Sequence, residues 1–171
     1  MELEHLVYLC RYFEGERLAF WIDGGWGVDA LLGEQTRPHS DLDLAVKLDD
    51  LPAFQRVLQI QEYSRIYRAR DAGWNWVFQD PAGRSVDLHG FVLDGQGNGV
   101  LGGPAEGTMY PAGALDGVGG LDEIELRCVA APFVLKFRNG FEPRPIDHHD
   151  IAALCARFGL ARPSRFRLDN R

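Results

Sequence analysis

Leu3, Leu6, Val7, Cys10 and Phe13 recur at helical spacing, which predicts an amphipathic helix over residues 2–16, ending near Gly15. The apolar run Ala19-Phe20-Trp21-Ile22 reads as a short strand, broken by Asp23-Gly24-Gly25, and Trp26 to Leu32 reads as a short helix stopped by Gly33. Residues 41–47, DLDLAVK, alternate polar and apolar with the period of a half-buried strand. Asp49 and Asp50 are placed to cap a following helix, with Pro52 in its first turn and Leu51, Phe54, Val57 and Leu58 on its buried face. Three strands follow, over 63–69, 74–80 and 84–92. Trp74, Trp76 and Phe78 alternate along the second, and Asp80-Pro81-Ala82-Gly83 turns the chain into the third. The glycine-rich stretch 94–120 reads as loop with at most a short helical turn or strand, and 123–129 as a final strand. Helices are expected over 131–139, stopped by Gly140, and over 146–158, with Ile151, Leu154, Cys155 and Phe158 on one face and Gly159 at its end. The tail 161–171 is expected to fray.

Composition narrows the function more than the fold. A chain of 171 residues, 46% hydrophobic, is long enough to bury a core without covalent staples. Eighteen Lys and Arg oppose 25 Asp and Glu, a formal charge of −7, which argues against gripping a long polyanion such as nucleic acid. A small or cationic substrate suits that charge better. Cys10, Cys128 and Cys155 are odd in number and widely spaced, as expected of reduced core thiols in a cytoplasmic protein. The N-terminus carries acids where a signal peptide is basic, and no apolar run is long enough to span a bilayer, so no membrane partner is expected.

Three features carry chemistry. Asp41 and Asp43 stand at i and i+2 on a strand, hence on one face, while Leu42 and Leu44 point into the core. Two adjacent carboxylates repel unless a cation compensates, and hard divalent ions favour such oxygen ligands. Gly24-Gly25, between a strand and a helix, permits close backbone approach beside free helix N–H groups, a reasonable cradle for an anion. Asp87 and His89 share the polar face of the strand GRSVDLHGF, where Asp87 is placed to complete a metal site and accept a proton from an attacking hydroxyl. Taken singly, a DxD pair, a double glycine and a strand carboxylate are each more often structural than functional.

Together they resemble the minimal nucleotidyltransferases of the DNA-polymerase-β-like superfamily, whose pattern is a strand, a glycine turn, a DxD and a distant third Asp. The segment WIDGGWGVDALLGEQTRPHSDLDLAV, residues 21–46, looks especially like the lincosamide nucleotidyltransferases and, more loosely, the aminoglycoside 2″-nucleotidyltransferases. The agreement includes Asp23, Trp26, Asp29 and Arg37-x-His39-x-Asp41-x-Asp43. It resumes at Asp87-Leu88-His89, Cys128, Phe137-x-x-Gly140-Phe141 and Asp147-x-x-Asp150. Pro132 and Arg138 depart from the pattern, as does the loop 94–120. The resemblance implies an α+β fold, a mixed twisted sheet flanked by helices with a short C-terminal helical portion. The nucleotidyltransferase core would be residues 1–93, with 94–160 completing the same domain. It also implies transfer of AMP from ATP to a hydroxyl of a small antibiotic acceptor, with two Mg²⁺ ions held by Asp41, Asp43 and Asp87. Asp87 would be the general base, and Gly24, Gly25, Arg37 and His39 would contact the nucleotide. His89, Asp147 and Asp150 would lie near the acceptor, in a monomer or a homodimer.

Several residues have competing structural readings. Asp23 is expected to anchor the glycine turn through backbone amides, and Asp147 to cap its helix. His148 and His149 point about a hundred degrees apart on a helix and make no chelating pair. Lys136 and Arg138 are expected on a solvated helix face, and Trp74 and Trp76 as packing residues rather than a clamp. The competing functions are a protein-modifying adenylyltransferase of the toxin–antitoxin type and a non-catalytic nucleotide-binding protein of the same fold.

Overall fold

The computed structural model describes residues 1–67, 72–103, 109–140 and 142–167. Helix α1 (Leu3–Gly15) buries Leu6, Val7, Leu9, Cys10 and Phe13 along one stripe. The Phe13 ring meets Phe20 and Phe54 at 5.7 and 5.1 Å between centroids, the edge-to-face geometry that aromatic quadrupoles favour. These contacts join α1 to strand β1 (Phe20–Ile22) and helix α3 (Leu51–Ile60).

Between β1 and α3 run helix α2 (Gly24–Leu32) and strand β2 (Asp41–Lys47). Strands β3 (Ser64–Ile66), β4 (Asn75–Gln79) and β5 (Ser85–Leu93) follow, then β6 (Gly99–Leu101), β7 (Met109–Tyr110), β8 (Gly117–Leu121) and β9 (Ile124–Cys128). Helices α4 (Ala131–Arg138) and α5 (Pro145–Phe158) come last. The sheet order is β3-β4-β5-β2-β1-β9-β8, with β6 and β7 continuing from the end of β5. β2–β5 and β1–β9 are parallel and the other pairs antiparallel, so the sheet is mixed. Leu42, Leu44 and Val46 of β2 and Val86 and Leu88 of β5 are buried in the core. Alternation therefore turns Asp41, Asp43, Asp87 and His89 to the opposite face.

Several expectations shift. The paired glycines open α2 rather than preceding it, because Asp23 caps the helix and accepts the Gly24 N–H at 2.7 Å. Asp49 and Asp50 make no capping bond to α3: they sit in a 3-10 turn, Leu48–Asp50, where Asp50 is already helical in φ and ψ. The stretch 94–120 contains β6, β7 and most of β8; strands of two to five residues set among glycines are too short to show a periodic pattern, although Val100, Leu101 and Tyr110 are buried. Phe158 is 42% exposed while Ile151, Leu154 and Cys155 are buried, since α5 ends at Gly159 before a neighbour can cover its last turn. Residues 68–69 of the expected third strand, Phe141 and the end of the tail lie outside the described residues. Cys10, Cys128 and Cys155 are buried and free, and burial pushes the Cys10 and Cys128 thiols up to about 12. Among the described residues no helix is long and apolar enough to cross a membrane.

Candidate active site

Parallel pairing of β2 and β5 sets Asp43 directly beside Asp87. Ligand atoms of Asp43, Asp87 and His89 lie within 4.8 Å of one another. Asp41 shares the face but is exposed at the rim and outside that cluster. The sequence-predicted trio is thus on one surface, with two members converging and His89 joining them. Burial, reinforced by Asp41, Asp23 and Asp87 and partly offset by His89, pushes the Asp43 carboxyl up to about 7. Burial opposes protonation of His89. The hydrogen bond and charge of Asp87, 3.4 Å away, with Asp23 and Asp43, outweigh it and hold the imidazole up to about 9. Asn75, across the β4–β5 pair from His89, donates its side-chain amide to Asp87. Clustered carboxylates whose charge is costly to hold without compensation suit a hard divalent cation, so the residues fit a metal site.

The glycine bend presses against this cluster. Gly24 has φ of +61°, and a Cβ there would stand 2.0 Å from Asp43 Oδ2. A Cβ at Gly25 would stand 2.4 Å from Arg37 Nη2 and 2.5 Å from His39 Nδ1. A side chain at Gly24 would meet both an unfavourable conformation and the Asp43 carboxylate, and one at Gly25 would push on Arg37 and His39. Asp23 completes the bend by accepting from Tyr110 Oη at 2.9 Å as well as from Gly24, the anchoring role expected of it. Gly24→Ala is expected to lower turnover by about a hundredfold or more, because it displaces the Asp43 carboxylate. Steady-state kinetics on variant protein with unchanged circular dichroism checks this, and wild-type turnover would refute the contact.

Behind the glycines lies a chain of alternating charge. His39 is buried, its Nε2 meeting Asp29 at 2.5 Å and its Nδ1 meeting Arg37 Nη1 at 3.0 Å. The Trp26 ring lies 4.2 Å from the His39 ring. Thr36 Oγ1 donates to the other Asp29 oxygen at 2.6 Å. Arg37 then clasps Asp150 with two bonds of 2.8 Å. Asp150 also receives Arg138 at 3.1 Å, and Asp147 receives both Arg138 and Arg144. Asp147 further accepts the Arg144 backbone N–H at 2.9 Å, which closes the start of α5 and bears out its capping role. Asp147 and Asp150 are buried and already engaged by arginines.

These groups edge a cleft of about 660 Å³ lined by Gly24, Gly25, Asp41, Asp43, Arg37 and Arg138, among others. Gly24, Gly25, Arg37, His39, Asp41 and Asp43 of the resemblance thus line one cleft. A family model described as aminoglycoside-2″-adenylyltransferase matches residues 5–154. The chain belongs to that family. It is accordingly a nucleotidyltransferase, an enzyme of the antibiotic-resistance group.

A lincosamide resistance protein of Staphylococcus haemolyticus is 26% identical over 154 residues, covering 88% of this chain and 92% of its own. Among solved structures, the lincomycin-bound lincosamide antibiotic adenylyltransferase LnuA superposes with a TM-score of 0.77 at 24% identity, over 90% of this chain and 96% of its own. ANT(2″)-Ia in complex with adenylyl-2″-tobramycin gives 0.70 at 17% identity, over 89% and 87%. The fold of this adenylyltransferase-family chain is therefore the α+β nucleotidyltransferase fold inferred from its motifs.

Sequence reading missed three polar residues of this family member's site. Asn75 was masked by its aromatic neighbours, although alternation against Trp74 and Trp76 signals that it faces the other way. Tyr110 lies in the glycine-rich stretch, and Arg144 precedes a proline with nothing to mark it. Arg138 was expected on a solvated face, yet its side chain is only 14% exposed; Lys136, by contrast, is exposed. Trp74 and Trp76 are half-buried packing residues, Trp76 under the Arg65 guanidinium at 3.8 Å from its ring centroid.

Proposed function

We propose that this enzyme transfers AMP from ATP to a hydroxyl of a small antibiotic, a lincosamide or an aminoglycoside. The observation that carries the reading is the in-register pair Asp43–Asp87 beside the Gly24–Gly25 bend, opening into a cleft on the same face. Asp41, Asp43 and Asp87 would hold two Mg²⁺ ions, which supply charge neutralisation at the triphosphate and acidify the acceptor hydroxyl. Asp87 accepts the hydroxyl proton, held in position by Asn75 and His89. The hydroxyl oxygen then bonds to the α-phosphorus in line, and pyrophosphate departs. Gly24 and Gly25 offer backbone N–H groups at the start of α2, where an anion is favoured. His39 and Arg37 support that bend from behind. Asp147 and Asp150 serve the site through the arginines they hold. The cytoplasm is the compartment where ATP and drug would meet.

The relatives modify drugs, which favours this reading over a protein-modifying or non-catalytic one. The test is incubation with ATP and Mg²⁺ across a lincosamide and aminoglycoside panel, read by mass spectrometry. An acceptor heavier by one AMP, with pyrophosphate released, is expected. Absence of any nucleotidylated drug across the panel overturns the acceptor assignment.

A further inference from the structure

Tyr110 is a buried residue whose packing needs only its ring. It stands in β7, inside the stretch 94–120 that departs from the pattern of the resemblance. The ring meets Phe91 of β5 and Phe137 of α4 edge to face, with centroids 6.0 and 5.9 Å apart. A phenylalanine would serve those contacts equally well. The hydroxyl has to be explained separately, because burying one costs free energy unless it is hydrogen-bonded. It donates to Asp23 Oδ2 at 2.9 Å. Burial and the Asp23 charge hold it well above the ordinary phenol value, so it remains a donor throughout the neutral range. Asp23 is tied in turn to Asp43. Its backbone N–H donates to the Asp43 carbonyl oxygen at 2.9 Å, and its Oδ1 accepts the Gly24 N–H at 2.7 Å. Gly24 is the residue pressed against the Asp43 carboxylate. The two Asp23 oxygens are thus held by different groups, one by the bend itself and one by a side chain 87 positions away.

We propose that Tyr110 is a positioning residue for the metal site, its hydroxyl locking Asp23 and, through the glycine bend, the Asp43 carboxylate. The proposal rests on the metal-dependent reading above and adds to it a residue that touches neither cation nor substrate. A carboxylate fixed from one side only can turn about its χ angles, whereas one bonded at both oxygens holds a single orientation. The aromatic contacts to Phe91 and Phe137 fix the direction in which Tyr110 presents its donor. A ligand held in place before the cation arrives loses less freedom on binding it, which is the benefit of such a support.

The test is calorimetric titration of Mn²⁺ into the full chain without nucleotide, with the Mg²⁺ dependence of drug adenylylation measured alongside. Wild type, Tyr110→Phe, Asp23→Ala and the double variant are compared. Tyr63→Phe is the control, because it deletes another buried hydroxyl, paired with His5 outside the site. Tyr110→Phe keeps the ring and is expected to weaken Mn²⁺ about fivefold or more, raising the Mg²⁺ concentration for half-maximal transfer by a similar factor. Asp23→Ala is expected to do at least as much. In that background Tyr110→Phe adds nothing further, since the hydroxyl acts through Asp23. Tyr63→Phe lowers the melting temperature and leaves Mn²⁺ affinity unchanged. Equal or tighter Mn²⁺ binding by Tyr110→Phe overturns the positioning role and leaves the transferase reading standing. Losses that multiply in the double variant overturn the route through Asp23. A wild type that binds Mn²⁺ but nucleotidylates no drug removes the acceptor assignment alone, whereas one that binds no Mn²⁺ overturns both.

Discussion

Asp43→Asn is expected to abolish transfer while making the metal-free protein more stable. Loss of a cation-binding carboxylate at the reaction centre removes stabilisation worth several kcal/mol, a fall in turnover on the order of a thousandfold or more. Stability moves the opposite way. The Asp43 carboxyl is held up to about 7 by burial and neighbouring acids, so ionising it opposes folding. Its penalty is absent below the ordinary carboxylate range, grows as pH rises from about 4 to about 7, and is complete above that. His89 is held up to about 9, so its stabilising contribution is complete below its ordinary value and is lost as pH climbs towards 9. Both trends lower metal-free stability between about pH 4 and pH 9. Removing the Asp43 charge should recover on the order of a few kcal/mol at pH 8 and little at pH 4. Thermal melts of chelator-treated wild type and variant at the two pH values measure this. Equal melting temperatures at pH 8 would show that the carboxylates are not electrostatically strained.

Asp150→Ala carries the second large effect, on the fold as well as the site. Asp150 is fully buried and receives Arg37 through two bonds and Arg138 through a third contact. Removing it leaves Arg37 and Arg138, with side chains 15% and 14% exposed, short of counter-charge. Breaking such a buried pair from one side costs about 3–5 kcal/mol. Urea unfolding should show a lower midpoint with little change in slope. The cost spreads, because Arg37 also meets His39, and His39 meets Asp29 and Trp26. Asp150→Asn should fall between wild type and Ala, since it keeps one acceptor oxygen but no charge. A midpoint unchanged in Asp150→Ala would show that solvent already satisfies both guanidinium groups.

These contacts explain why part of the resemblance was legible and its meaning was not. Asp23, Trp26, Asp29, Arg37 and His39 marked the chain as similar to drug-modifying enzymes. Their separation from the DxD gave no hint that Arg37 and His39 press against Gly25 while Asp29 and Trp26 pack on His39. Arg37 and His39 were expected on the nucleotide, and Asp147 and Asp150 near the acceptor. The structure joins Arg37 to Asp150 across 113 positions of sequence, so two segments expected on different ligands are tied to each other by an ion pair. Arg138 was misplaced for a related reason. Helical periodicity reports which face of α4 is apolar, and it does not report that a second helix brings carboxylates against the polar one.

What the sequence alone determined is local. Alternation over 41–47 and 84–92 put Asp41, Asp43, Asp87 and His89 on the polar faces of two strands, because side chains on a strand have a period of two. The Asp23-Gly24-Gly25 bend was written in residue type, since a left-handed φ with a side chain pressed close against it favours glycine. Only the tertiary structure decided that β2 and β5 are neighbours, parallel, and in the register that opposes Asp43 to Asp87. It also decided that Arg37, from the segment before β2, Arg138 of α4 and Arg144 at the start of α5 reach the same cleft. Register and helix packing are settled by contacts between residues far apart in the chain, and no window along a single sequence contains both partners.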